Sequence, residues 1–288
     1  VEMALWDLLG RVRGEPVWRM LGYVRSEPKT PYASALFGDD PQETLRRGRA
    51  ARADGFRAAK FGWGPIGRGT VADDADQFAA AREGLGQDGI LLVDAGQIWG
   101  EDVEAAAARL PALRQVGAIW LEEPFAGEAV PAYRALAARS GAVKLAGGEA
   151  SHNEAMARRL MDDGDIGFVQ IDCGRVGGVG PAYRIAQYAQ GRGITYVNHT
   201  FTSHLALSAS LQPYAGITDS EICEYPFAPK PLARDLTTTR LAPDAKGHVY
   251  APDAPGLGLE IDGATVARYL VETEIKVRGQ VLYSTPSF

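Results

Sequence analysis

Six ionisable residues recur at intervals of 23 to 28 residues through the middle of the chain: Asp94, Glu122, Glu149, Asp172, His199 and Glu224. Each closes a short apolar run, so one side chain per structural unit is delivered to a common rim. Three neighbouring carboxylates, Asp94, Glu122 and Glu149, cannot all ionise cheaply without a counter-charge. A hard divalent cation such as Mg²⁺ supplies it, because it binds a few carboxylate oxygens and keeps positions for water and substrate. No Cys or His cluster has zinc spacing, which argues against a soft-metal site. Asp172 and His199 lie one unit apart, close enough in the pattern to hydrogen-bond. A carboxylate on the imidazole fixes its tautomer and raises its basicity, which makes a general base for work near neutral pH. Lys60 closes another run, and residues 58, 60 and 62 (Ala, Lys, Gly) share a strand face. An inward lysine needs an anion, either a substrate carboxylate or the metal-binding carboxylates themselves. His152, His204 and His248 lack such a partner and read as structural or surface residues.

The elements that would carry these residues are legible as apolar runs alternating with alanine-rich helical stretches. The runs fall near residues 31–36, 56–61, 90–94, 118–122, 143–149, 168–172, 194–198 and 220–224. Eight strands alternating with helices predict a parallel sheet, and their even spacing predicts closure into an α/β barrel. Chemistry in such barrels gathers at the carboxyl ends of the strands, where the ionisable residues fall. The organisation expected is a helical lead-in over 1–30, a catalytic barrel over 31–240 and a C-terminal extension over 241–288. Residues 226–260 read as a long irregular connection, ATVARYLVE as a helix and EIKVRGQVLYS as a terminal strand-like run. The segment 62–67, GWGPIG, matches a dinucleotide fingerprint, but Pro65 lies inside it and the strand before it is not the first of a βαβ half. It reads as a flexible loop over the site. The chain opens at Val1, directly into a helical pattern, so a preceding segment is expected to be missing.

Of 288 residues, 46% are hydrophobic and the formal net charge is −6. That balance argues against nucleic acid as a partner, which needs a basic face. Two cysteines, Cys173 and Cys223, are too few for a disulfide framework and favour a reducing cytoplasm. No run approaches the roughly 20 apolar residues of a membrane span, and no secretory signal is visible.

The motifs LLVDAGQIW (91–99), IWLEEP (119–124), LAGGE (145–149), VQIDCGRVGG (169–178), VNHTF (197–201) and PGLGLEID (255–262) occur in one order. In them the chain resembles the enolase superfamily, specifically its mandelate racemase-like subgroup. The resemblance implies a (β/α)₇β barrel whose N-terminal α+β capping domain is largely missing from this chain, with the extension packing toward that domain. It implies Mg²⁺ on Asp94, Glu122 and Glu149, a His199–Asp172 acid/base dyad, Glu224 as hydrogen-bond donor to a substrate carboxylate, and Arg175 near the site. It also implies a homo-oligomer, a dimer or an octamer. Many members carry Lys-x-Lys on the second strand. Here the sequence is Lys60-Phe61-Gly62, which leaves His199 as the evident proton carrier. One such residue suffices for a syn dehydration, whereas racemisation needs a group on each face of the carbanion. The expectation is therefore a Mg²⁺-dependent lyase that dehydrates a sugar acid to a 2-keto-3-deoxy acid. A racemase, epimerase or cycloisomerase on the same scaffold, or a metal-binding barrel without turnover, are the alternatives.

Overall fold

The computed structural model describes residues 1–286. Eight parallel strands carry the fold: β1 (Thr30–Leu36), β2 (Ala58–Gly62), β3 (Ile90–Asp94), β4 (Ala118–Glu122), β5 (Lys144–Gly147), β6 (Phe168–Ile171), β7 (Thr195–Asn198) and β8 (Ile222–Tyr225). Their hydrogen-bonded order is β7-β6-β5-β4-β3-β2-β1-β8, so the first and last barrel strands pair and the ladder ends at β7 and β8. A helix follows nearly every strand and covers it from outside, as parallel strands with two buried faces require. α1 (Glu2–Arg13) and α2 (Val17–Met20) precede the barrel, while α3 (Pro41–Ala53) and α4 (Val71–Leu85) cover β1 and β2. Both of these helices start on strong caps: Asp40 accepts from Glu43, and Thr70 forms a reciprocal capping box with Asp73.

Alternation along the strands sorts the core into two layers. Residues facing outward, such as Phe61, Leu91, Val93 and Leu121, pack under the helices. Residues facing inward, Tyr32, Ala58, Leu92, Trp120, Ala146 and Val197, plug the barrel itself. Trp120 is the largest piece of this plug, its ring 5.7 Å from that of Tyr32 and 5.0 Å from that of Phe168. The same parity that directs Trp120 inward directs Glu122 inward one step nearer the rim. The plug thus forms the floor on which the polar residues stand.

Three expectations need correction. The terminal run is a hairpin, not one strand: β9 (Glu274–Val277) and β10 (Gln280–Ser284) pair antiparallel around Arg278 and Gly279. Both turn residues have positive φ, 49° and 80°, the conformation a two-residue hairpin turn demands. The irregular connection after β8 also contains a short helix, Pro231–Asp235. Finally, the loop after β2 is tied down rather than loose. Ile66 is buried in it, and the Gly67 N–H donates to Asp74, which is itself paired at 2.8 Å with buried Arg109. The helix Gly263–Tyr269 and the eight barrel strands otherwise match the expected pattern.

Because Trp120 is fully buried and fills the barrel interior, Trp120→Ala should leave a cavity and cost about 3–5 kcal/mol of folding stability. Urea denaturation measures this as a lowered midpoint.

Candidate active site

Strand register assembles the site. Gly62 on β2 lies beside Asp94 on β3, and Asp94 lies beside Glu122 on β4. Glu149 follows β5 by two residues, Asp172 follows β6 and caps the short helix Cys173–Val176, and His199 follows β7. Glu224 is on β8, paired in register with Tyr32 of β1. Lys60, Asp94, Glu149, Arg175, His199 and Glu224 all line one cavity of about 660 Å³ at the carboxyl ends of the strands. Glu122 lies just beneath it, fully buried, and Asp172 stands behind His199. All eight residues singled out in the sequence therefore converge on one place.

Lys60 is the cation at the centre of the floor. Its Nζ is 2.7 Å from Glu122 Oε1 and 3.0 Å from Glu224 Oε1, with all three side chains almost wholly buried. The inward lysine thus finds its anions within the protein. Burial would by itself push the lysine pKa down, but Glu122 and Glu224 outweigh it and hold the ammonium charged. Glu224 is held below the usual carboxylate range by Lys60 and His199, against burial.

His199 forms the second cluster. Its Nδ1 is 2.8 Å from Asp172 Oδ2, and its Nε2 is 2.9 Å from Glu149 Oε2. Burial disfavours the imidazolium, yet the two carboxylates raise its pKa to about 10. Asp172 also accepts from the backbone N–H groups of Gly174 and Arg175, so the carboxylate that orients the ring is itself fixed. Arg175 donates to Glu149 at 2.9 Å and stands 3.9 Å from Asp172. With His199 and Arg175 on it, Glu149 falls to about 2 despite its burial.

The acidic side is under-compensated. Burial raises Asp94 to about 6 and Glu122 to about 8, and Glu122 Oε2 is buried with no hydrogen-bond partner. Asp94 uses Oδ1 to accept from the Gly96 N–H. A Cβ at position 62 would lie 2.8 Å from Asp94 Oδ2, so glycine keeps that oxygen uncovered. Hard oxygen donors, an orphaned buried carboxylate oxygen and a deficit of positive charge fit a divalent cation held by Asp94, Glu122 and Glu149. Among the described residues no three acidic, His or Cys side chains are already gathered around one ion position. The reason is visible in the pairing: Glu122 turns to Lys60, and Glu149 turns to His199 and Arg175.

Sequence reasoning missed four contributors. Glu123, the second Glu of EEP, is buried, and burial raises it to about 7. Its Oε2 accepts from Gln97 Nε2 at 2.8 Å, while its backbone oxygen accepts from the Gln97 N–H at 2.6 Å. Both residues have positive φ, 37° and 65°, which takes Glu123 off the strand parity used to read Glu122. Ser34, on the inward face of β1, lines the same cavity as Glu224 and could have been found by alternation. Asn198 links β7 to β8, a role that depends on where the ladder stops. Of the other histidines, His204 accepts from the Leu241 N–H at 3.2 Å and serves packing.

Residues 43–265 match the family model described as enolase C-terminal domain-like. The chain belongs to that family. It lies in the mandelate racemase-like part of the enolase superfamily, whose members include dehydratases, cycloisomerases and racemases. It is 66% identical to the solved structure of a predicted mandelate racemase from Rhodobacter sphaeroides, with a TM-score of 0.96 over 99% of this chain and 73% of that one. It is 29% identical to D-galactarolactone cycloisomerase from Agrobacterium fabrum, over 91% of this chain and 70% of that enzyme. It is 30% identical to L-talarate/galactarate dehydratase from Salmonella typhimurium, over 74% of this chain and 53% of that enzyme. No helix among the described residues is long and apolar enough to cross a membrane.

Replacing Lys60 with Met would leave Glu122 and Glu224 buried without a cation. Such a loss costs about 3–5 kcal/mol, which chemical denaturation in chelator-treated buffer reads directly. Unchanged stability would mean that Lys60 is not their counter-charge.

Proposed function

We propose that this chain is a Mg²⁺-dependent carbon–oxygen lyase that dehydrates a sugar acid to a 2-keto-3-deoxy acid. The observation that carries this reading is the one-sidedness of the proton-handling groups. His199, backed by Asp172 at 2.8 Å, occupies one wall of the cavity. Gly62, at the end of β2 in the same cavity, offers no side chain, and a Cβ there would press on Asp94. A single base can take a proton and return it on the same side. Inversion of a stereocentre needs a second group on the opposite side.

Asp94, Glu122 and Glu149 would hold the metal. Bound there, Mg²⁺ acts as a Lewis acid on the substrate carboxylate and stabilises the negative charge that builds up on it. Arg175 binds and orients that carboxylate, and Lys60, held in place by Glu224, adds fixed positive charge beneath it. His199 Nε2, the ring nitrogen that Asp172 does not hold and that Glu149 must release, takes the proton from the carbon next to the carboxylate. The freed electron pair forms the carbon–carbon double bond as the bond to the β-oxygen breaks. The imidazolium then gives the same proton to the departing oxygen. The enol product tautomerises to the 2-keto acid, and the net change is loss of one water.

A second reading is favoured by the relatives named as cycloisomerases, D-galactarolactone cycloisomerase and 3,6-anhydro-alpha-L-galactonate cycloisomerase. If the β-oxygen belongs to a ring, the same His199 chemistry opens the ring without releasing water. Product analysis separates the two outcomes.

Assay of a library of aldonic, aldaric and anhydro sugar acids for 2-keto products tests the function. His199→Asn should lower turnover by roughly 10²- to 10⁴-fold while Mg²⁺ binding persists. Full activity in that variant would refute the role of His199. In D₂O, exchange of the α-proton without loss of the β-oxygen would favour an epimerase instead. Mg²⁺ at a hundred-fold excess over Kd should stabilise the wild-type fold by about 2.7 kcal/mol. Asp94→Ala should abolish that gain in a thermal-shift titration; an undiminished shift would remove Asp94 from the ligand set.

A further inference from the structure

The barrel ladder is interrupted at one place, between β7 and β8, and these are the strands that deliver His199 and Glu224. His199 is anchored from the β6 side, where its N–H donates to the Ile171 oxygen at 2.9 Å and its ring to Asp172. Glu224 is anchored from the β1 side, in register with Tyr32. The two therefore belong to opposite ends of the ladder, and backbone pairing does not fix the distance between them.

A side chain does. Asn198 is fully buried, and its Oδ1 accepts from the Glu224 N–H at 2.9 Å while its Nδ2 donates to the Glu224 carbonyl at 3.1 Å. The amide thus takes the place of a neighbouring peptide group and satisfies both backbone groups of a buried residue. It is itself oriented by Tyr214, whose hydroxyl donates to Oδ1 at 2.9 Å, and by Ser210, whose Oγ accepts from Nδ2 at 2.9 Å. On the other side of His199, the Thr200 N–H donates to Glu224 Oε2 at 2.6 Å. His199 is thereby bracketed in sequence by two residues that both grip Glu224.

We propose that Asn198 is a positioning residue that closes the barrel seam and sets the separation of His199 from Glu224. That separation is 3.9 Å between His199 Nε2 and Glu224 Oε2. The catalytic consequence rests on the lyase reading; the geometric one does not. Asn198 touches neither reacting group with its own side chain. It acts through the placement of β8.

Crystal structures and kinetics of Asn198→Ala test this, together with a Ser210→Ala/Tyr214→Phe double variant that keeps Asn198 but removes what orients it. The expected result is a His199–Glu224 separation longer by on the order of 1 Å, and turnover reduced about 10²-fold in Asn198→Ala. The double variant should show a smaller loss in the same direction. The Mg²⁺-induced thermal shift should be unchanged, because Asp94, Glu122 and Glu149 lie on other strands. If Asn198 works through Glu224, adding Asn198→Ala to Glu224→Gln should cost much less than it does alone; a purely structural role would give additive losses. An unaltered separation in a folded variant would overturn the proposal, even if no sugar acid were turned over. If Asn198→Ala does not fold, the same measurement on the double variant decides. Absence of turnover in wild type, with the seam widened in the variants, would refute the lyase reading alone.

Discussion

Lys60 between Glu122 and Glu224 is the contact on which the site depends. Three ionisable side chains are buried inside the barrel, where a charge on any of them would be costly alone and where their mutual attraction is little screened. One ammonium cannot balance the acids around it. Asp94, Glu122, Glu123, Glu149, Asp172 and Glu224 share the rim with one lysine, one arginine and one histidine. Burial, and after it the neighbouring carboxylates, raises Asp94, Glu122 and Glu123, and the histidine is drawn between Glu149 and Asp172. The under-compensated acid lies on the side of Asp94, Glu122 and Glu123, whose oxygens are hard donors of the kind a divalent cation prefers.

The barrel makes that arrangement possible by keeping water out from below. Trp120, Tyr32 and their neighbours fill the interior, so the charged layer has a solid floor and one open face. The loops above are held in specific shapes. Gln97 and Glu123 both adopt a left-handed backbone that is unfavourable for residues with side chains, and they are pinned to one another by two hydrogen bonds. Local strain of this sort persists only where surrounding contacts over-determine it, and it clusters at functional sites. Here it turns the acid after Glu122 back toward the pocket.

Gly62, beside Asp94, puts no side chain at the end of β2, whereas the imidazole after β7 is anchored by Asp172. Fold alone does not choose among the dehydratase, cycloisomerase and racemase chemistries of this superfamily.

The amino-acid sequence by itself determined the strands, their order and the residues at their ends, because a period of two within runs and one acid per strand–helix unit are local signals. It placed Asp94, Glu122, Glu149, Asp172, His199, Glu224 and Lys60 at one rim for the same reason. Glu123 escaped because its left-handed backbone breaks the alternation that identified Glu122, and the terminal hairpin escaped because Arg278-Gly279 is a weak turn signal inside an apolar run. Only the tertiary structure decided that Lys60 binds Glu122 and Glu224, that Glu149 reaches His199, and that Asn198 bridges the seam. These are contacts between residues 26 to 164 positions apart, fixed by barrel closure and strand stagger rather than by any local preference.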